Sequence, residues 1–103
     1  WNELFNHIGG ESVAGGKLKE AGTNLWKSPN IGATNETGFT ALPGGFRSGY
    51  EVFKTLKEEA AWHSATLDDT GSPWHCWTLY DRTEINKFAG NKQTGFSIRC
   101  VKD

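Results

Sequence analysis

Gly38-Phe39-Thr40-Ala41-Leu42-Pro43-Gly44-Gly45-Phe46-Arg47 and Gly95-Phe96-Ser97-Ile98-Arg99-Cys100-Val101-Lys102-Asp103 decide how this chain folds. In both stretches an aromatic residue follows a glycine, and an arginine stands where a strand nears its end. Residues 39–42 read as a strand, and Pro43-Gly44-Gly45 is a bend that delivers Phe46 and Arg47. In the second stretch Phe96, Ile98 and Cys100 alternate onto one strand face. One β segment is central and the other closes the chain, which implies a sheet completed late in the sequence.

Outward from the closing strand, residues 74–80 form another strand. Trp74, Cys76, Thr78 and Tyr80 share one face, and His75, Trp77 and Leu79 share the other. Residues 60–67 read as a buried strand, joined to it by the turn Asp68-Asp69-Thr70-Gly71-Ser72-Pro73. Residues 84–88 are a short strand between two turns. The last third is therefore expected to be a three-stranded antiparallel meander of 74–80, 84–88 and 95–101. Phe39, Leu42, Trp62, Leu79, Phe96 and Ile98 are the expected core.

Toward the N-terminus, Trp1, Leu4, Phe5 and Ile8 have helical spacing, stopped by Gly9-Gly10. So short a helix is marginal alone, so the expectation is the end of a helix that began upstream. Residues 11–37 read as a long loop rich in Gly, Asn and Thr, and such loops are often functional. Lys17 and Lys19 are expected in a solvated turn of it. Residues 50–60 are ambiguous, because Val52, Phe53 and Leu56 have helical spacing in a segment that otherwise resembles loop and short strand.

Composition sets the bounds. At 103 residues the chain makes a single domain, 1–103. Only 36% of it is hydrophobic, but 13% is aromatic with five Trp, so the core should be small and ring-rich. Eleven Lys and Arg against twelve Asp and Glu give a net charge of −1, which argues against a nucleic-acid binder. No apolar run approaches the ~18 residues of a membrane span.

Residues 14–20 (Ala-Gly-Gly-Lys-Leu-Lys-Glu), Trp26, Asn30-x-Gly32-Ala33-Thr34-Asn35, Gly38-Phe39-x-Ala41-Leu42-Pro43-Gly44-Gly45-Phe46-Arg47, Trp62-His63-Ser64-Ala65-Thr66 and the closing Arg99-Cys100-Val101-Lys102-Asp103 together resemble the Fibrobacter succinogenes major paralogous domain. The resemblance covers nearly the whole chain. It implies an α+β, C-type-lectin-like fold, distantly akin to formylglycine-generating enzymes: a short N-terminal helix packed on a small antiparallel sheet with long irregular loops. It implies a bacterial surface or secreted protein, often a lipoprotein. It also implies an upstream cysteine as the disulfide partner of Cys100, with the first strand and helix start lying before Trp1. The present chain would then be the C-terminal part of a longer domain.

The expected function is a non-catalytic extracellular module that binds carbohydrate or another surface ligand. The alternative is a structural or protein-interaction domain in a larger surface or envelope assembly, such as an adhesin stalk. His63, and Trp77 in the strand beside Cys76, depart from the family pattern. Trp74, His75 and Trp77 cannot all face one core, and an outward Trp stacks on sugar faces. Ligand contact is accordingly expected at Trp77, His75 and His63, with Asp68 and Asp69 at the rim; both Trp could instead pack under the 11–37 loop. Calcium at the acidic turn is conceivable but not favoured, since the lectin loop motifs are missing. His63, His75 and Cys76 lack a further ligand at a zinc spacing. No nucleophile, zinc-protease or phosphate-loop motif is present, so no enzyme, cofactor or metal is expected. Cys76 and Cys100 are expected not to bond to each other.

Overall fold

The computed structural model describes residues 1–90 and 92–100. The described elements are α1 (Asn2–His7), α2 (Glu11–Leu18), β1 (Phe46–Arg47), β2 (Phe53–Lys54), β3 (Glu59–Leu67), β4 (Pro73–Leu79) and β5 (Asn86–Ala89). β3, β4 and β5 make one antiparallel sheet in that order, and β1 with β2 makes a second, two-stranded one. The fold is α+β, with a core mostly of sheet and two short helices on one face.

The two stretches quoted at the outset meet in space. Arg47 and Gly95 exchange backbone hydrogen bonds at 2.8 and 2.7 Å, and the Arg99 guanidinium lies 4.3 Å from the centre of the Phe39 ring. Their strands are shorter than expected. Of residues 38–47 only Phe46–Arg47 is a strand, because Thr40 turns to φ 57 and Ala41 makes only a single bridge, to Lys19. The closing segment also leaves the expected meander. Ser97 bridges Trp62 in parallel, on the edge of β3 that β4 does not use. The Phe96 ring explains the route, since it stacks on His75 at 4.4 Å, and its burial outweighs pairing with the sequence neighbour β5. Residues 101–103 of that expected strand lie outside the described residues.

The core holds Phe5, Ala14, Leu18, Trp26, Ala41, Ala60, Trp62, Cys76 and Ile85, with Phe39 and Trp1 packed against it. Trp62 was expected there. Leu42 and Ile98 were too, but they are 50% and 74% exposed. The bend at Thr40 turns Ala41 inward in place of Leu42, and the chain leaves the sheet after Ser97, before Ile98 can face it. Leu79 and Phe96 are half-buried outside this cluster.

The largest departure is α2, where a loop was expected. Two glycines mid-helix cost roughly 1 kcal/mol each in propensity, yet tertiary packing requires them. A Cβ on Gly15 would collide with Thr78 Oγ1 and the Glu84 carbonyl, and one on Gly16 would lie 2.5 Å from the Gly32 oxygen. The helix thus lies backbone-close on β4 and the 83–85 turn. Gly16 N–H donates to Thr83 O at 2.9 Å and Ile85 N–H to Glu11 O at 2.9 Å.

Lys17 and Lys19 are not in a solvated turn. Lys17 Nζ donates to the Ile8 carbonyl at the end of α1. Lys19 is fully buried, and its ammonium donates to the carbonyls of Ile31, Leu79 and Arg82 at 2.8, 2.9 and 2.9 Å. Beyond α2 the chain is irregular to residue 45. Trp26 anchors it by burying its ring and donating Nε1–H to Ala41 O at 2.9 Å. Asn30 anchors it by donating to Glu20 O and Gly22 O.

Candidate functional site

Strand alternation sorts the sheet into two faces. Trp62, Cys76 and Thr78 face the helices. Ala61, His63, His75, Trp77 and Phe88 face the other way. The register sets His63 directly opposite His75, and His75 opposite Phe88. Ala61 lies opposite Trp77 and is fully buried. The rings form one connected array. His75 lies 5.4 Å from Trp77, 5.6 Å from Phe88 and 4.4 Å from Phe96 between centroids. His63 meets Phe96 edge-on at 4.9 Å. Phe96 in turn touches Phe46 at 6.0 Å.

Three of the expected contact residues, Trp77, His75 and His63, are thus brought together. Trp77 and His75 are half-buried, and Phe88 at the strip's outer end is 56% exposed. Phe88 and Phe96 were not singled out as contact residues from the sequence. Phe88 sits on the same face as Trp77 once β5 is shifted to Asn86–Ala89, and that shift was not legible from the turn residues alone.

Burial, and then the charge of neighbouring His63, hold the His75 pKa below its ordinary 6.5. The sign follows directly. Below pH 6.5 the unfolded chain binds a proton that folded His75 resists, so stability falls as pH drops through the imidazole range. The melting temperature should decline between about pH 7 and pH 5, and His75→Phe should flatten that decline. Equal slopes in the two proteins would show that His75 is not desolvated in the array.

Asp68 and Asp69 are not brought to the rings. They lie in the turn beyond the bulge that interrupts pairing between His63 and Leu67. Asp68 Oδ1 accepts from Thr70 N at 2.8 Å, Thr70 Oγ1 at 2.7 Å and Ser72 N at 2.9 Å, and these bonds hold its carboxyl below the usual range. The carboxylate shapes its own turn, so a cation there would have to displace bonds already made. Among the described residues no group of three His, Cys, Asp or Glu side chains is placed to hold a metal ion.

The helix-side face carries a feature absent from the sequence reading. Between α1 and the even-numbered residues of β3 and β4 lies an open pocket of about 500 Å³. Trp74 lines it and is 38% exposed. Alternation puts Trp74 with the buried Cys76 and Thr78, but it stands at the end of β4 past the cover of the helices. At the base, burial pushes the Cys76 thiol up to about 12, which leaves it unreactive. Cys76 and Cys100 are both free thiols, the first buried and the second exposed. Among the described residues no helix is long and apolar enough to cross a membrane.

The model of the Fibrobacter succinogenes major domain matches residues 1–102 of the chain. No curated protein and no solved structure matches it.

Proposed function

Because the chain belongs to the Fibrobacter succinogenes major domain family, we propose that it is a non-catalytic binding module of a bacterial surface or secreted protein, C-type-lectin-like in organisation, that holds carbohydrate on its ring-bearing sheet face. The observation that carries this reading is the contiguous strip Trp77–His75–Phe88 on the sheet face away from the helices, with Phe88 exposed, Trp77 half-buried and Phe96 stacked on His75. Flat rings at fixed spacing on a sheet offer apolar faces to sugar C–H groups at little entropic cost, since the strands already hold them. Nearby His63 and His75 add ring nitrogens for hydroxyl groups. The module needs no metal or cofactor for this, and no group on the strip is set up as a nucleophile.

A glycan array probed with the intact chain tests the reading. Binding to a defined glycan class is expected, and Trp77→Ala should weaken it about tenfold or more, as for a central aromatic contact. Unchanged binding by a folded Trp77→Ala protein would place the site elsewhere.

A second reading has its own observation. The β1–β2 hairpin presents Tyr50 at 92% and Phe53 at 79% exposure. Large exposed rings on a protruding hairpin favour protein contact, which fits a structural or interaction domain of a surface assembly. An array with no binding, together with a protein partner lost on Phe53→Ser, would favour it.

A further inference from the structure

We propose that the pocket on the helix-side face is a second saccharide site, which shares His75 with the ring strip but uses neither Trp77 nor Phe88. Its volume of about 500 Å³ falls among the sizes of ordinary ligand pockets. Its chemistry narrows the ligand. Trp74 supplies one large aromatic wall, 38% exposed although its strand neighbours on that face, Cys76 and Thr78, are 1% and 0% exposed. Trp1, His75 and Cys76 line it as well, and Asn2, Glu3, Ser64 and Thr66 supply hydrogen-bond donors and acceptors.

Among the described lining residues the cationic side chain is Lys87, and its ammonium is already engaged. It donates to Asn2 Oδ1 at 2.9 Å and pairs with the Glu11 carboxylate. A phosphate or carboxylate ligand would find the lysine ammonium already paired and would meet Glu3. An aliphatic ligand would strip water from four polar side chains without replacing their hydrogen bonds. A neutral polyhydroxylated ring satisfies both parts of the wall. Its C–H face covers the indole, and its hydroxyls meet the amide, the hydroxyls and the carboxylate.

Trp74 and Trp77 stand on opposite faces of β4, so one short saccharide cannot cover both indoles. With both sites occupied, the module would bridge two glycan chains, and its hold on a polymer would exceed that of either site.

Calorimetric titration of the chain with neutral oligosaccharides of glucose, mannose, xylose and N-acetylglucosamine tests the pocket. At least one should bind with an affinity that Trp74→Ala weakens about tenfold or more, that Trp74→Phe largely restores, and that Trp77→Ala leaves unchanged. If Trp74→Ala lowers the melting temperature, Thr66→Ala, a change at the exposed rim, replaces it and should weaken binding severalfold. Loss on Trp77→Ala with full binding by Trp74→Ala would support the ring strip and overturn the pocket. Loss on Trp74→Ala alone would uphold the pocket as a site that works without Trp77. Failure of every neutral oligosaccharide to bind the wild-type chain would overturn the pocket outright.

Discussion

Lys19→Met should cost about 3–5 kcal/mol of stability, a large share of the roughly 5–15 kcal/mol that holds an ordinary domain folded. The change keeps the aliphatic stem and removes only the ammonium. That ammonium satisfies the carbonyls of Ile31, Leu79 and Arg82, which belong to the irregular loop, the end of β4 and the following turn. Each buried acceptor left without a donor costs roughly 1–3 kcal/mol. The ammonium also lies 5.4 Å from the Trp26 ring centre, a further cation–π contact that methionine cannot make. Burial brings the Lys19 pKa down to about 8 against the pull of Asp81 and Glu84, so at pH 7 the amine keeps its proton and all its donors. Arginine should not rescue, since a planar guanidinium cannot place its donors where one tetrahedral nitrogen does. Urea denaturation reads the effect; a loss below about 1 kcal/mol would mean that water reaches those carbonyls.

Gly15→Val should be the next most damaging change, at about 3 kcal/mol or more. A Cβ at Gly15 meets the Thr78 hydroxyl and the backbone oxygens of Glu84 and Thr83, the last at 2.8 Å. Two of these are backbone atoms held by the sheet and its turn, so α2 must lift away from β4. Lifting it would break Gly16 N–H to Thr83 O and Ile85 N–H to Glu11 O together. Gly44→Ala is the natural control, because its Cβ would meet only Ser97 Oγ, at 3.4 Å. Thermal melts of the two variants should therefore diverge by several degrees or more. Similar small losses would show that α2 floats on the sheet.

These two residues also explain what the sequence made legible and what it hid. Strand periodicity in β3 and β4 was readable because alternation survives where one face meets helices: Trp62 and Cys76 pair inside, His63 and His75 outside. That same alternation grouped His63, His75 and Trp77, which is why the ring strip was legible in part. α2 was hidden because glycine means turn in local terms, whereas here it means close approach, to Thr78 and the Glu84 carbonyl at Gly15 and to Gly32 at Gly16. Lys19 was hidden for a related reason. A lysine in a polar stretch is usually solvated, and only the fold shows that the carbonyl ends of three separate segments converge on it. The closing strand was misplaced because pairing between sequence neighbours is the default, and the stacking of Phe96 on His75 overrides it.

Several residues of the stretches that carry the family resemblance hold the irregular loop in place. Asn30 ties the loop to Glu20 and Gly22, Asn35 Oδ1 accepts from Thr40 N at 2.8 Å, and Lys19 staples the loop to β4. Asn35 therefore serves the loop.

An NMR titration of isotope-labelled protein with the glycan selected on the array tests ligand placement most directly. Shift changes centred on the Trp77 indole N–H and the rings of His75 and Phe88, with the Trp26 indole N–H unmoved, are the expected result. Changes confined to the β1–β2 hairpin or to the 20–45 loop, with the strip silent, would contradict a ring-face carbohydrate site.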